Sequence, residues 1–252
     1  MTRDLTGRRV LVTRPAGQGE GLAQQLEALG AEVLQRPALA IEPRTPADWP
    51  PVEPVDWLVF TSPNAVQWAL PWLDSIDHSR AQIAAVGPGT AARAQADGLP
   101  VAVAPRAGGG VDELLAEPDF APAVGERVLI FRGEGGRERL QQVLREGQVI
   151  VVEVDVYRRV PAAAALDVPP AWRSAPLDAT VVTSRAGLDA LLGMTGQPAL
   201  QWLQASRLIT VSDRVAAYAR AMGFVDPVVA AGAADADLSA AVVQALQREG
   251  ND

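Results

Sequence analysis

Short unbroken apolar runs alternate along this chain with stretches whose apolar residues recur every three or four positions. VLVT from Val10, WLVF from Trp57 and VLIF from Val128 are runs of the first kind. Such runs suit strands buried on both faces of a parallel sheet. Leu22, Leu26 and Leu29 recur at i, i+4 and i+7, which predicts one apolar face of a helix. The stretch ALGAEVLQRP ends that helix near Gly30 and begins another strand. Strand and helix alternating throughout predicts parallel sheet covered by helices. Four or five strands in each half predict an α/β protein of two flavodoxin-like parallel-sheet domains.

The halves repeat each other. VLVTRPAGQGEGLAQQL from Val10 lines up without gaps on VLIFRGEGGRERLQQVL from Val128, so that Arg14 falls on Arg132, Leu22 on Leu140 and Leu26 on Leu144. DWLVFTSPNAVQWAL from Asp56 matches DATVVTSRAGLDALL from Asp178, with Thr61 on Thr183 and Ser62 on Ser184. IAAVGPGTAARAQADGL from Ile83 matches LITVSDRVAAYARAMGF from Leu208. Two partitions fit this order. A cut near residue 122 separates the copies. Alternatively the chain crosses between domains at the two proline-dense joins, RPALAIEPRTPADWPPVEP and YRRVPAAAALDVPPAWRSAP, which makes the domains circular permutants of each other. The residues alone leave both open.

Composition narrows the chemistry. The chain has 252 residues and is 48% hydrophobic, enough for one large core or two smaller ones. It has no cysteine, which removes disulfides, thiolate catalysis and cysteine–metal sites. All 22 basic residues are arginine, which removes Schiff-base chemistry and the P-loop lysine. The single histidine, His78, makes a His-rich metal site or a Ser-His-Asp triad improbable. Net charge is −8, with no basic stripe, so no nucleic-acid partner is expected. The first residues lack the apolar core of a signal peptide and no run reaches membrane-spanning length, so a cytoplasmic protein without a membrane partner is expected. A locally positive cleft in an acidic protein still suits a polyanion.

Ligands of open parallel sheets bind beyond the carboxyl ends of the strands. The candidates there are Arg14, the Thr61-Ser62 pair with Asn64, Gly87 and Thr90 of VGPGT, Arg132, Gly133 and Arg137 of FRGEGGRERL, Ser184 of VTSRAG and Ser212 of VSDR. Thr-Ser after a strand supplies a helix cap and leaves N–H groups that favour anions. Plain capping explains one such pair; two copies suggest helix starts that meet one ligand from two domains. FRGEGG fails both the dinucleotide and Walker patterns. Its arginines suit a bidentate carboxylate contact, or are solvated in an ordinary turn. Tyr157, in the join VDVYRRVP, either packs or presents its hydroxyl to a cleft.

The ordered set LVTRPAGQGEGLAQQLEALG, DWLVFTSPNAVQ, AAVGPGTAA, LIFRGEGGRERL, VEVDVYRR, VVTSRAGLDALL and LITVSDRVAAYARAMGF resembles uroporphyrinogen-III synthase over essentially the whole chain. The resemblance implies two α/β domains joined by a two-stranded linker, with the chain crossing twice: residues 1–38 plus 162–252, and 42–157, with linkers about 38–42 and 157–161. It implies closure of linear hydroxymethylbilane, supplied by hydroxymethylbilane synthase, to uroporphyrinogen III. Water is lost and the last pyrrole, ring D, is inverted. No cofactor or metal is implied, and a monomer is expected. Tyr157 matches the family's linker tyrosine and is the candidate acid; Thr61, Ser62, Asn64, Thr90 and Ser184 match its cleft positions. One departure stands out. The family usually carries a hydroxyl residue before its last helix, where this chain has Ala233 and Ala234. A non-catalytic two-domain protein that binds or senses a small polycarboxylate is the alternative, since a duplicated cleft serves it equally well.

Overall fold

In the computed structural model, which describes residues 4–46, 49, 54–106 and 108–247, each unbroken apolar run is a strand. The chain begins with β1 (Arg9–Val12), α1 (Glu20–Ala28) and β2 (Glu32–Gln35), then enters β3 (Leu39–Pro43). Next come β4 (Trp57–Phe60), α2 (Pro63–Leu73), β5 (Gln82–Ala85), α3 (Pro88–Ala96), β6 (Val101–Val103), α4 (Val111–Leu115), β7 (Arg127–Gly133), α5 (Arg139–Glu146) and the long β8 (Ile150–Pro161). It ends with α6 (Pro170–Arg173), β9 (Ala179–Val181), α7 (Arg185–Gly193), α8 (Gln197–Gln204), β10 (Arg207–Thr210), α9 (Asp213–Ala221), β11 (Val228–Val229) and α10 (Asp235–Gln247).

Two compact units result, one of Met1–Ala40 with Val160–Asp252 and one of Ile41–Arg159; residue 122 falls inside the second. The first unit contains a sheet of order β11-β10-β9-β1-β2, its pairs all parallel. The second contains the order β8-β7-β4-β5-β6, also parallel, with β3 lying beside β8. Counted from β1 in one and from β7 in the other, both orders become 2-1-3-4-5, the flavodoxin-like arrangement. The two sheets are thus one strand order, circularly permuted. Where β3 and β8 carry the chain from one unit to the other, Arg44 N–H donates to Val156 O at 2.9 Å and Ala162 N–H to Ala38 O at 3.0 Å. Residue 44 therefore faces 156 while 38 faces 162, an antiparallel pair.

Each strand divides its side chains between two cores, because successive residues point to opposite faces. In the first unit Val10 and Val12 join Leu22 and Leu26 of α1 and Leu238 and Val242 of α10. Leu11, between them, joins Leu188 and Leu191 of α7 on the other face. In the second unit Leu58 and Phe60 pack with Leu129, Phe131 and Val66 of α2. Trp57 and Val59 pack with Val128, Ile130 and Leu140 of α5. Burying an aliphatic or aromatic side chain of this kind contributes about 1.5–3 kcal/mol. Both faces are covered, which is why these strands carry continuous rather than alternating apolar sequence. The tryptophans are packing residues: Trp49 meets Trp72 edge-on at 6.3 Å, and Trp57 meets Phe120 at 5.2 Å. Among the described residues, no helix is long and apolar enough to cross a membrane.

Candidate active site

A polar cavity of about 390 Å³ lies wholly in the second unit, at the carboxyl ends of β4 and β7 beside β8. Its position follows from the topology, since parallel strands end there and helix N-termini begin. Thr61, Ser62, Arg132, Gly133, Arg137 and Tyr157, all candidates from the sequence, line it, together with Gln141 and Arg159.

Tyr157 is at the centre of this arrangement. Its ring belongs to the core beneath and is only 1% exposed. Its hydroxyl takes two polar neighbours: Arg159 Nη2 donates to it at 2.7 Å, and Ser62 Oγ lies 3.1 Å away. The Arg159 guanidinium also rests over the ring, 5.1 Å from its centre. So the ring packs in the core while the hydroxyl meets the polar groups of the cavity wall. The neighbouring strand makes room for it. Gly133 stands opposite Tyr157 in the β7–β8 register. A Cβ there would sit 2.5 Å from the tyrosine Cζ, so no other residue fits without moving the ring.

Ser62 caps α2, its Oγ accepting from Ala65 N–H at 3.1 Å. Between Ser62 and Tyr157 there are two hydroxyl protons and one shared hydrogen bond. Arg159 and Ala65 both act as donors. Whichever hydroxyl donates to the other, one proton of the pair remains for a third group, in a cavity that both side chains line. Thr61 is committed differently, its Oγ1 donating to Phe131 O at 3.2 Å.

The glycine-rich loop after β7 is held from beneath. Arg132 is 6% exposed, and its donors turn inward, toward Glu153, Asp155 at 3.3 Å, and Gly136 O at 3.0 Å. The sequence offers Arg132 or Arg137 for a bidentate contact with a bound carboxylate, or both as solvated residues of an ordinary turn. The structure pairs Arg132 with carboxylates of β8 and with the loop that it shapes. Gly136 N–H closes the turn onto Gly133 O at 3.3 Å, and Gly135 takes φ +67°, a conformation that favours glycine. Glu134 N–H donates to Tyr157 O at 2.9 Å, and its carboxylate pairs with Arg44. Burial works to raise the Glu153 carboxyl. Hydrogen bonds from Arg145 and Gln141, with the charges of Arg132 and Arg145, outweigh it and hold that carboxyl below its ordinary value. Arg137 is exposed at the cavity wall and makes no ion pair among the described residues. The loop thus offers one free guanidinium, Arg137, and one buried one, Arg132, that fixes its shape.

The remaining candidates lie elsewhere. Asn64, Gly87 and Thr90 belong to the second unit but do not line this cavity. Gly87 caps α3 without a side chain, and Thr90 is buried within that helix. Arg14, Ser184 and Ser212 belong to the first unit. Arg14 is paired with Asp235, the residue that follows Ala233 and Ala234 and opens α10. Ser184 caps α7 through Gly187 N–H at 3.0 Å, and Ser212 caps α9 through Val215 N–H at 3.4 Å. These serines do what the capping reading of the sequence requires. Sequence reasoning missed Arg159 and Gln141. An arginine in a linker pattern looks solvated, and only the strand period, which puts Arg159 two residues from Tyr157 on the same face, marks it. Gln141 falls between Leu140 and Leu144 on the inner side of α5, the one available sign that it is buried.

A family model described as uroporphyrinogen-III synthase HemD matches residues 20–240. The chain is 36% identical over 193 residues to the uroporphyrinogen-III synthase of Synechococcus elongatus, covering 71% of this chain and 72% of that one. It is 32% identical to that of Salmonella typhimurium, covering 94% and 99%. Its fold resembles that of a mutant uroporphyrinogen III synthase from the extremely thermophilic bacterium Thermus thermophilus, with a TM-score of 0.62 at 20% identity over 96% of this chain and all of that one. It also resembles the enzyme of Helicobacter pylori, with a TM-score of 0.60 at 16% identity over 96% and 98%. A family model matched over residues 20–240 and relatives 36% and 32% identical point one way: the chain belongs to the uroporphyrinogen-III synthase family.

Proposed function

We propose that the chain closes hydroxymethylbilane to uroporphyrinogen III, with loss of water and inversion of ring D, and that the Tyr157 cavity seats part of that substrate. The observation that carries this reading is the hydroxyl pair. Tyr157 and Ser62 sit 3.1 Å apart with Arg159 donating to the tyrosine, so a proton is presented at the cavity wall without histidine, lysine or cysteine. In the proposed reaction ring A loses hydroxide, and that proton leaves with it as water. The substituted α-carbon of ring D attacks the resulting azafulvene cation, and a spiro intermediate fragments and recombines with ring D turned. The bilane closes unaided to the uninverted isomer I. The larger task is therefore to hold a folded geometry, which is proximity and orientation rather than strong acid–base chemistry.

Charge and size support the same reading. The substrate carries two carboxylates on each of four rings. Arg137, exposed at the cavity wall, and Arg159 suit carboxylates; Arg132, already paired, holds the loop that carries Arg137. A volume of about 390 Å³ is toward the lower end of small-molecule sites, about 300–1,000 Å³, so the cavity takes only part of a four-ring substrate. We assign residues 1–38 with 162–252 and 42–157 as functional domains, with the β3–β8 pair as their two-stranded linker. Arg14 and the helix starts at Ser184 and Ser212, with Asn64, Gly87 and Thr90, are proposed to serve further parts of the same substrate. The proposed enzyme is a cytoplasmic monomer that needs no cofactor and takes its substrate from hydroxymethylbilane synthase.

The deciding experiment is a coupled assay. Porphobilinogen is fed to hydroxymethylbilane synthase with and without this protein, the products are oxidised, and the uroporphyrin isomers are separated. A shift from isomer I to isomer III is expected. Isomer I alone, from folded protein, would overturn the assignment.

A further inference from the structure

We propose that the side-chain carbonyl of Gln141 accepts a hydrogen bond from a pyrrole N–H of the substrate and so sets how the substrate is turned in the Tyr157 cavity; the inference rests on the substrate proposed above. Gln141 lines that cavity, yet its residue is only 2% exposed. Its Nε2 donates to Glu153 Oε2 at 3.2 Å. Because a carboxylate accepts and does not donate, this bond fixes which end of the amide is which: nitrogen toward Glu153, oxygen away from it. That oxygen is buried and has no hydrogen-bond partner among the described residues. Buried polar atoms are rarely left in this state, and where they are a function is the first thing to ask about.

The internal repeat sharpens the point. In the gapless alignment of the two copies, Gln141 falls on Ala23. Ala23 is equally buried, at 1% exposed, on the equivalent helix. The same position packs well without a polar group, so packing does not demand the amide. Glu153 engages the amide nitrogen and leaves the oxygen without a partner, so the oxygen is the part of the side chain left for a ligand.

The surroundings choose the ligand group. A carboxylate is disfavoured at the carbonyl, since both groups only accept hydrogen bonds. A donor without acceptor capacity fits. A pyrrole N–H is such a donor, and each ring of the proposed substrate carries one. The cavity wall then divides its work: guanidinium at Arg137 and Arg159 for the acid arms, and Gln141, whose buried carbonyl a small shift of the side chain would open to a ring nitrogen.

The test uses the full chain and uroporphyrinogen III made enzymatically from ¹⁵N-labelled porphobilinogen, kept reduced. In complex with the wild type, one pyrrole N–H proton is expected to shift downfield of the others. In Gln141→Met that shift is expected to vanish, with KM raised about tenfold, kcat changed far less and more isomer I escaping. Gln141→Ala, the residue of the first copy, is the second variant if methionine does not pack; melting curves report folding for both. A wild type that makes isomer III, with N–H shifts and KM the same in folded Gln141→Met and Gln141→Ala, overturns the role of Gln141 alone. A folded wild type that makes only isomer I overturns the substrate and this inference with it.

Discussion

A single hydroxyl, that of Tyr157, ties the buried core of the second unit to its polar cavity. Tyr157→Phe keeps the ring but removes the acceptor for Arg159 and the partner of Ser62. Isomer III formation is expected to slow at least several-fold, with an unfolding free energy lower by about 1–3 kcal/mol. Coupled turnover and denaturant curves on one preparation separate the two effects, and unchanged turnover would remove Tyr157 from the chemistry. Gly133→Ala attacks the same group from the next strand. Its Cβ would lie 2.5 Å from Tyr157 Cζ, a ring that is itself packed in the core. Overpacking of this kind costs about 1–3 kcal/mol, and turnover is expected to fall with the displaced hydroxyl. At this scale the sequence is only partly legible. Tyr157 is marked in the sequence by its place in the join VDVYRRVP. The inward turn of Arg132 is not, because its partners Glu153 and Asp155 reach it only through the β7–β8 register. Arg159 and Gln141 gain their meaning from the same long-range placement.

Among the elements, the serine-capped helices allow a graded comparison. Ser62 and Ser184 make cap bonds of 3.1 and 3.0 Å, and Ser212 one of 3.4 Å. Ser184→Ala should cost about 1 kcal/mol and Ser212→Ala about half of that, because the bond is longer. Ser62→Ala should cost at least as much as Ser184→Ala, since it also removes one of the two polar neighbours of the Tyr157 hydroxyl. Urea midpoints at constant slope would order the three. Strand β8 carries a pH-dependent tie. Its Glu153 is held below the ordinary glutamate value, so the unfolded chain binds that proton more tightly than the folded one. The stabilisation is complete above the unfolded value and is lost as pH falls through the lowered folded one. Glu153→Gln is expected to melt lower than wild type at neutral pH, with the gap closing below about pH 4. A gap constant down to acid pH would show that the carboxylate charge contributes nothing. Strands and helices themselves were legible from local pattern, because strands buried on both faces must be apolar throughout. The antiparallel β3–β8 pair was not, since its partners lie over a hundred residues apart.

For the whole molecule, the strand orders separate what is continuous from what is not. The second unit is one stretch of chain with its parallel sheet complete. A fragment of residues 41–159 is therefore expected to fold alone, giving a cooperative melt and dispersed amide resonances. The first unit needs two segments, and β1 has its neighbours β2 and β9 on either side of the long excursion. Residues 1–40 alone are expected to remain unfolded. Because Ala162 N–H reaches Ala38 O, a short turn joining residue 40 to 160 should restore the first unit without the second.

The same threading decides how the molecule would answer a mechanical pull. Both ends of the described chain belong to the first unit, and the strands that lead into and out of the second, β3 and β8, are stitched side by side. Tension applied at those ends loads the contacts between the two segments of the first unit and reaches residues 41–159 only once those segments part. In an optical trap the two rips must come in a fixed order. The host tears first, and only the slack it releases exposes the guest to load.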